Sequence, residues 1–312
     1  MNGVQRRADD VALVVAAAGK YVWADRGVGG AMERRTLFKL LGAAAVGSAV
    51  PLRRGRAESA PAAGVQVQRL GWAGIRLVTG RTTVFVDAVF DPATQGQPDP
   101  DVPLKASTPD RYGLVTHFHP DHCDPKALKT VFTERSRLVC DRETALRIGD
   151  REVPLLPVSL YQPEFLSGGT ADFMVIPVPA ADGLGSPQVS WVIDGGGKRF
   201  FHAGDTEMHG HFWNIGRAYG PFDAVFLPIN GFRQIGGRFT RAPAAMSLTP
   251  EQAVEVALVL GARRVVPIHY GRSEPPAYVE VAEPLAAFQK AARAVKLQVQ
   301  VLKGGETWMA GS

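Results

Sequence analysis

The residues best equipped for chemistry stand together in Thr116-His117-Phe118-His119-Pro120-Asp121-His122. Neutral imidazole and carboxylate are ligands for zinc and neighbouring divalent ions. A strand end followed by a tight turn would let these side chains converge, with His117 and His119 on one ion and Asp121 and His122 on a second. The other four histidines, of seven in the chain, are His202, His209, His211 and His269. Asp205, in Gly204-Asp205-Thr206, and His269, in Pro267-Ile268-His269, each lie just beyond an apolar strand. Ligands project from such places when sheets present their edges to a site.

The elements that must position these groups can be read from periodicity. Val65–Leu70 alternates as a half-buried strand, and Ile75–Val78 and Thr82–Val86 are β-branched runs joined by the turn Thr79-Gly80-Arg81. Tyr112–Thr116 is the strand that feeds the histidine cluster, followed by a helix over Pro125–Thr133, a strand over Arg137–Cys140 and a helix over Glu143–Ile148. Further strands are expected at Met174–Val178, Val189–Ile193, Phe200–His202, Ala224–Leu227 and Val265–Ile268. Thr249-Pro250-Glu251-Gln252 starts a helix, with a Thr cap, Pro at the first helical position and acid in the first turn. A helix over Val279–Val295 and a closing strand over Leu297–Leu302 complete the pattern. Residues 65–312 therefore read as one α/β domain with a large mixed sheet or two stacked sheets.

The segment before it reads as an address. Glu33-Arg34-Arg35-Thr36-Leu37-Phe38-Lys39 resembles a twin-arginine export motif, and the apolar run Leu40–Val50 and a basic, Ala-rich stretch to Gly64 follow it. That apolar run is shorter than the roughly 20 residues a membrane span needs. Residues 1–64 are thus expected to be an N-terminal extension and signal peptide, with Met32 a candidate true start, and the mature protein to be periplasmic or extracellular. Of the formal net charge of +5, all sits in the first 65 residues, which hold 10 Lys+Arg and 5 Asp+Glu. The neutral remainder excludes the basic surface of a nucleic-acid binder. Two cysteines, Cys123 and Cys140, do not make a disulfide framework.

His117-x-His119-x-Asp121-His122, Gly204-Asp205-Thr206 and Pro267-Ile268-His269 resemble the metallo-β-lactamase superfamily, over about residues 66 to 309. The resemblance implies a four-layer αββα sandwich with two divalent ions at one edge, Zn2+ or else Mn2+ or Fe2+. It also implies that Asp205 bridges the ions and that His269 completes the second site. Phe201-His202-Ala203-Gly204-Asp205-Thr206, Gly220-Pro221-Phe222-Asp223, Thr249-Pro250-Glu251-Gln252-Ala253 and Ile268-His269-Tyr270-Gly271 are most similar to one branch. It contains L-ascorbate-6-phosphate lactonase-like proteins and N-acyl-phosphatidylethanolamine phospholipase D. The implied activity is hydrolysis of an ester, lactone or phosphodiester, on a small or lipid-like substrate, by a metal-activated hydroxide.

The expected catalytic residues are Asp121, which orients the nucleophile, and His211, or a metal-bound water, as proton donor to the leaving group. One departure stands out. In Val178-Pro179-Ala180-Ala181-Asp182-Gly183, Asp182 occupies the place of a family histidine. Either Asp182 ligates through oxygen, shifting preference toward Mn2+ or Fe2+, or the first site is weakened and the protein binds metal without turnover. A turn role beside Gly183 is the third reading. Trp72 is read as packing, His202 as structural or as a support behind the ligands, and Arg233, Arg238 and Arg241 as residues of a loop overhanging the site.

Overall fold

The computed structural model describes residues 11–15, 21–25, 64–90, 102, 104–149, 153–166, 172–233, 244–275 and 278–310. The chain divides into two units, Met1–Ser59 and Ala60–Ser312. In the first, β1 (Val11–Val15) and β2 (Tyr21–Asp25) pair antiparallel. The twin-arginine motif and its apolar run lie outside the described residues.

The second unit holds two sheets. In the first, β3 (Val65–Gly71), β4 (Gly74–Thr79) and β5 (Thr82–Val86) form an antiparallel meander. The chain then adds β6 (Asp110–Leu114), β7 (Arg137–Asp141) and β8 (Leu155–Val158) in parallel. The short helices α1 (Pro125–Lys129) and α2 (Arg142–Ile148) fall in these connections, capped by the Asp124 and Asp141 carboxylates. The second sheet repeats this plan. Its strands β9 (Glu164–Leu166), β10 (Phe173–Pro179), β11 (Val189–Gly195) and β12 (Lys198–His202) pair antiparallel, and β13 (Ala224–Pro228) and β14 (Val265–Ile268) follow in parallel. Here α3 (His211–Tyr219) and α4 (Pro250–Val259) make the connections, and α5 (Pro284–Ala294) comes after β14. A last strand, β15 (Thr307–Ala310), returns to pair with β3 at the edge of the first sheet.

Alternation along the strands sorts side chains into three cores. Val65, Val67, Ile75, Leu77, Val84 and Val86 of the first sheet meet Val175, Trp191, Ile193, Phe200, Phe226 and Val266 of the second. On the outer face of the first sheet, Phe85, Leu138 and Cys140 pack with Leu128 of α1 and Ala145 of α2. On the outer face of the second, Val192, Phe201 and Val225 pack with Phe212 of α3, Val254 of α4 and Phe288 of α5. The layers therefore run α, β, β, α, as the resemblance implied. β5 and β13 are buried along their whole length, as strands covered on both faces must be.

Two elements differ from the pattern read in the sequence. The expected helix Val279–Val295 starts only at Pro284. Before it, Val279 exchanges backbone hydrogen bonds with Arg233, and Val281 N–H donates to Asn230, so this stretch pairs with a loop instead of coiling. The closing strand is not Leu297–Leu302 but β15. Within the former, Val299 makes only an isolated bridge to Val265.

Candidate metal centre

Four strand ends converge. Asp87 follows β5, His117 lies just past β6, Asp205 follows β12 and His269 follows β14. The carboxyl ends of parallel strands are where open α/β sheets place their ligands. The loop after β6 turns back on itself because His122 and Cys123 both donate backbone N–H to His119 O. This brings the cluster His117–His122 over the gap between the sheets. Gly204 makes the Asp205 turn with φ +69°, and a Cβ there would lie 2.6 Å from Gln188 Nε2. Trp72, Asp87 and His269 also hold left-handed backbone, with φ of 40°, 43° and 55°. Such conformations cost on the order of 1–3 kcal/mol each and collect at functional sites.

Six side chains form two groups of three, His117, His119 and Asp205 in one and Asp121, His122 and His269 in the other, each with ligand atoms within 4.8 Å of one another. Asp205 lies between them, its Oδ1 3.6 Å from His117 Nε2 and its Oδ2 3.7 Å from His122 Nε2. His269 Nε2 is 3.5 Å from Asp121 Oδ2 and 3.9 Å from Asp205 Oδ2. His117 Nε2 and His119 Nδ1 face each other at 2.8 Å. His122 Nε2, His269 Nε2 and Asp205 Oδ1 are buried with no hydrogen-bond partner. Orphaned buried polar atoms are costly, and here they point into one small space. A divalent cation fits them, and the donor set of imidazole and carboxylate suits zinc, manganese or iron.

The charges agree. Burial pulls the His117 pKa down to about 4, against Asp205, so its ring is neutral and ready to ligate. Burial would also lower His122, but Asp121, Asp205 and Asp87 outweigh it and push its pKa to about 10. Burial would raise all three carboxylates. The surrounding imidazoles, His122 foremost for Asp87 and Asp121 and His117 for Asp205, hold them below the ordinary range instead.

A second set of residues holds the first in place. Asp87 is buried; its Oδ2 accepts from His122 Nδ1 and Thr116 Oγ1 and its Oδ1 from Thr116 N, all at 2.8 Å. It thereby turns His122 Nε2 toward the site. The Trp72 indole N–H donates to Asp121 Oδ2 at 3.1 Å, and its ring lies 4.2 Å from that of His269. Trp72 is more than packing. His202, as expected, is structural: its Nε2 donates to Ala73 O at 2.9 Å, its Nδ1 accepts from Gly204 N, and burial lowers its pKa.

Asp182 does not join either group. Its two oxygens accept the backbone N–H of Leu184 and Ser186. Its nearest approach to a histidine is 3.8 Å to His119 Nε2, the nitrogen that also meets Ser186 Oγ at 3.0 Å. His119 turns its other nitrogen to His117, so Asp182 stands behind the ring instead of in front of it. His211 opens α3, exposed, 5.6 Å from the His209 ring. It is not among the described residues lining the cleft above the two groups. Arg233 is exposed on its loop; Arg238 and Arg241 lie outside the described residues. Cys123 and Cys140 are free thiols whose pKa values burial pushes up, so neither offers a thiolate. The cleft itself, about 290 Å³, is walled by His119, Asp121, Asp205, His269, Phe232 and Tyr278.

Sequence reasoning passed over Asp87 and Tyr278. Asp87 carries the signal that found Asp205 and His269, a polar residue directly after an apolar strand, but without a histidine motif beside it. Tyr278 carries none, because it follows no strand directly and belongs to no motif.

A sequence profile described as "Beta-lactamase superfamily domain" matches residues 82–270. A UPF0173 metal-dependent hydrolase of Thermus thermophilus is 30% identical over 250 residues, covering 78% of this chain and 97% of that protein. Another, from Thermococcus kodakarensis, is 28% identical over 219 residues, covering 68% and 87%. Among solved structures, Igni18, a metallo hydrolase of Ignicoccus hospitalis, superposes with a TM-score of 0.61 at 22% identity, covering 78% of this chain and 97% of that one. The chain therefore belongs to the β-lactamase superfamily, within its UPF0173 metal-dependent hydrolases.

Proposed function

We propose that this protein is a dinuclear-metal hydrolase of an ester, lactone or phosphodiester. His117, His119 and Asp205 would hold one ion, Asp121, His122 and His269 the other, with Asp205 shared between them. The observation that carries this reading is the convergence of unpartnered His122 Nε2, His269 Nε2 and Asp205 Oδ1 between the two groups. Two such ions supply Lewis acidity and acidify a water to a nucleophile near neutral pH. The chain's own residues do the rest. Asp121, ionised and fixed by Trp72 at Oδ2, orients the attacking water. Phe232 and Tyr278 wall the substrate side. The four imidazoles favour zinc, with manganese or iron as substitutes.

The likeness to L-ascorbate-6-phosphate lactonase-like proteins and N-acyl-phosphatidylethanolamine phospholipase D supports a lactone or a phosphodiester, small or lipid-like. Among the described residues, no helix is long and apolar enough to cross a membrane. The twin-arginine pattern supports export. Metal binding without turnover is the second reading: Asp182 gives its oxygens to the Leu184 and Ser186 N–H groups and joins neither group, so the first has only His117, His119 and Asp205.

The test is a screen of the zinc- and manganese-loaded chain against 4-nitrophenyl esters, lactones and bis(4-nitrophenyl) phosphate. Asp121→Ala and Asp205→Ala should lower kcat/KM by at least about a hundredfold. Full metal loading with no turnover of any class would refute the hydrolase reading.

A further inference from the structure

Tyr278 sits in the cleft beside Asp121, Asp205 and His269, at the end of a buried chain of hydrogen bonds whose direction is fixed. The chain begins at the backbone N–H of Phe232, which can only donate, and gives its proton to Ser247 Oγ at 3.1 Å. Ser247 Oγ in turn donates to Asn230 Oδ1. Asn230 Nδ2 then donates to the Tyr278 hydroxyl oxygen at 2.6 Å. Reversing the amide would make Ser247 Oγ accept from both Phe232 N and Asn230 and leave its own buried proton without a described acceptor. Ser247 and Asn230 are both fully buried, where such polarity is enforced strongly.

With its oxygen accepting from Asn230, the Tyr278 hydroxyl must send its own proton elsewhere. No described residue receives it. The ring is pinned by Phe232, stacked 4.0 Å away at 13°. Arg272 also lines the cleft, 5.6 Å over the Tyr278 ring, with its Nε and Nη2 on Glu274 at 3.1 and 3.0 Å. Burial, with Glu280 and the two site carboxylates, raises the tyrosine pKa, so the proton stays on.

We infer that the Tyr278 hydroxyl is a preset hydrogen-bond donor to the substrate oxygen that gains negative charge during hydrolysis, a catalytic residue in addition to the metal-facing groups. The inference rests on the hydrolase reading for its role in turnover, but not for its existence as a donor. A pre-positioned donor beside a developing oxyanion is worth more in a partly buried cleft than the same bond in solvent.

The experiment uses Tyr278→Phe in the full chain, which removes only the hydroxyl and keeps the ring stacked on Phe232. Metal content should equal the parent's. Inorganic phosphate, a tetrahedral oxyanion, is titrated calorimetrically into the zinc-loaded parent and variant. The variant should bind it about tenfold more weakly. For any ester the parent hydrolyses, kcat should fall by about 10- to 100-fold with KM within about threefold, and equally for phenyl and 4-nitrophenyl leaving groups. Asn230→Asp, which presents an acceptor to the hydroxyl and turns its proton away from the cleft, should reproduce the loss and not add to it. A Tyr278→Phe phosphate affinity within twofold of the parent's overturns the inference, whether or not any ester is turned over. So does a kcat loss that vanishes with the better leaving group, since that assigns the donor to the leaving oxygen. A parent that binds phosphate through Tyr278 but hydrolyses nothing would instead refute the hydrolase reading alone.

Discussion

Asp87→Asn exchanges one oxygen for an NH2 group and tests how the site sets its histidine. Thr116 N–H can only donate, so the amide oxygen must stay at the Oδ1 position, 2.8 Å away. The NH2 group then falls at Oδ2, facing His122 Nδ1 at 2.8 Å. His122 keeps a bond there only if Nδ1 becomes an acceptor, which moves the ring proton to Nε2. That is the atom lying 3.6 and 3.7 Å from the Asp121 and Asp205 carboxylates. A protonated Nε2 cannot bind metal. Loss of such a supporting partner weakens metal binding by about 10- to 100-fold, or roughly 1.4–2.8 kcal/mol. The metal-free protein also loses a charge-assisted bond, about 1.5–3 kcal/mol, which for a domain of this size lowers Tm by roughly 3–12 °C.

Competition with a chromogenic chelator at neutral pH reads the first effect and thermal unfolding the second. The pH dependence has a definite sign. The folded Asp87 pKa lies below the ordinary value, because His122 outweighs the opposing effect of burial. Its stabilisation is therefore complete above the unfolded value of about 3.9 and is lost as pH falls through the folded one. The Asn variant should lack this part of the acid transition. An Asn variant that binds zinc within twofold of the parent would refute the account of His122.

Metal uptake should release at least one proton per chain near neutral pH, because His122, with a pKa of about 10 in the empty pocket, must lose one, and a metal-bound water that ionises adds to it. Calorimetry in two buffers of different ionisation enthalpy measures this, and identical heats would contradict it. In the metal-free chain the raised His122 pKa contributes stability that is full below about 6.5 and is lost as pH rises through about 10, so chelated protein should unfold more readily in alkali. Asp182→Ala should keep full metal content and lose about 1–2 kcal/mol of stability, since it frees the Leu184 and Ser186 N–H groups. Metal analysis showing one ion fewer than the parent would make Asp182 a ligand after all. Residues 32–65 fused to a reporter should direct export, and Arg34→Lys with Arg35→Lys should block it; continued export of the double variant would sink the twin-arginine reading.

Much of this centre was legible in the chain because strand ends announce themselves. An apolar strand with His or Asp within a few residues of its end is a local signal, and it picked out His117, Asp205 and His269 beyond the ends of three different strands. Asp182 kept three readings open because a sequence position carries no direction; its carboxylate meets two backbone N–H groups of its own turn, which fits the turn reading. Trp72 hid its role in the same way, since an indole in a turn reads as packing until its N–H is seen on Asp121. His211 was placed by likeness alone, and a helix start carries it elsewhere. In the fold, the last strand was misjudged because Leu297–Leu302 is apolar enough for a strand, yet only Val299 pairs, while Thr307–Ala310 completes the sheet through backbone pairing that no local pattern marks.

The account stands on two ions held by two groups of three. Metal analysis of the purified chain, followed by a zinc-loaded crystal structure with anomalous scattering, tests this directly. The account predicts two peaks about 3.5–4 Å apart, one among His117, His119 and Asp205 and the other among Asp121, His122 and His269, with Asp205 touching both. A single peak, or a peak ligated by Asp182 in place of Asp205, would contradict it.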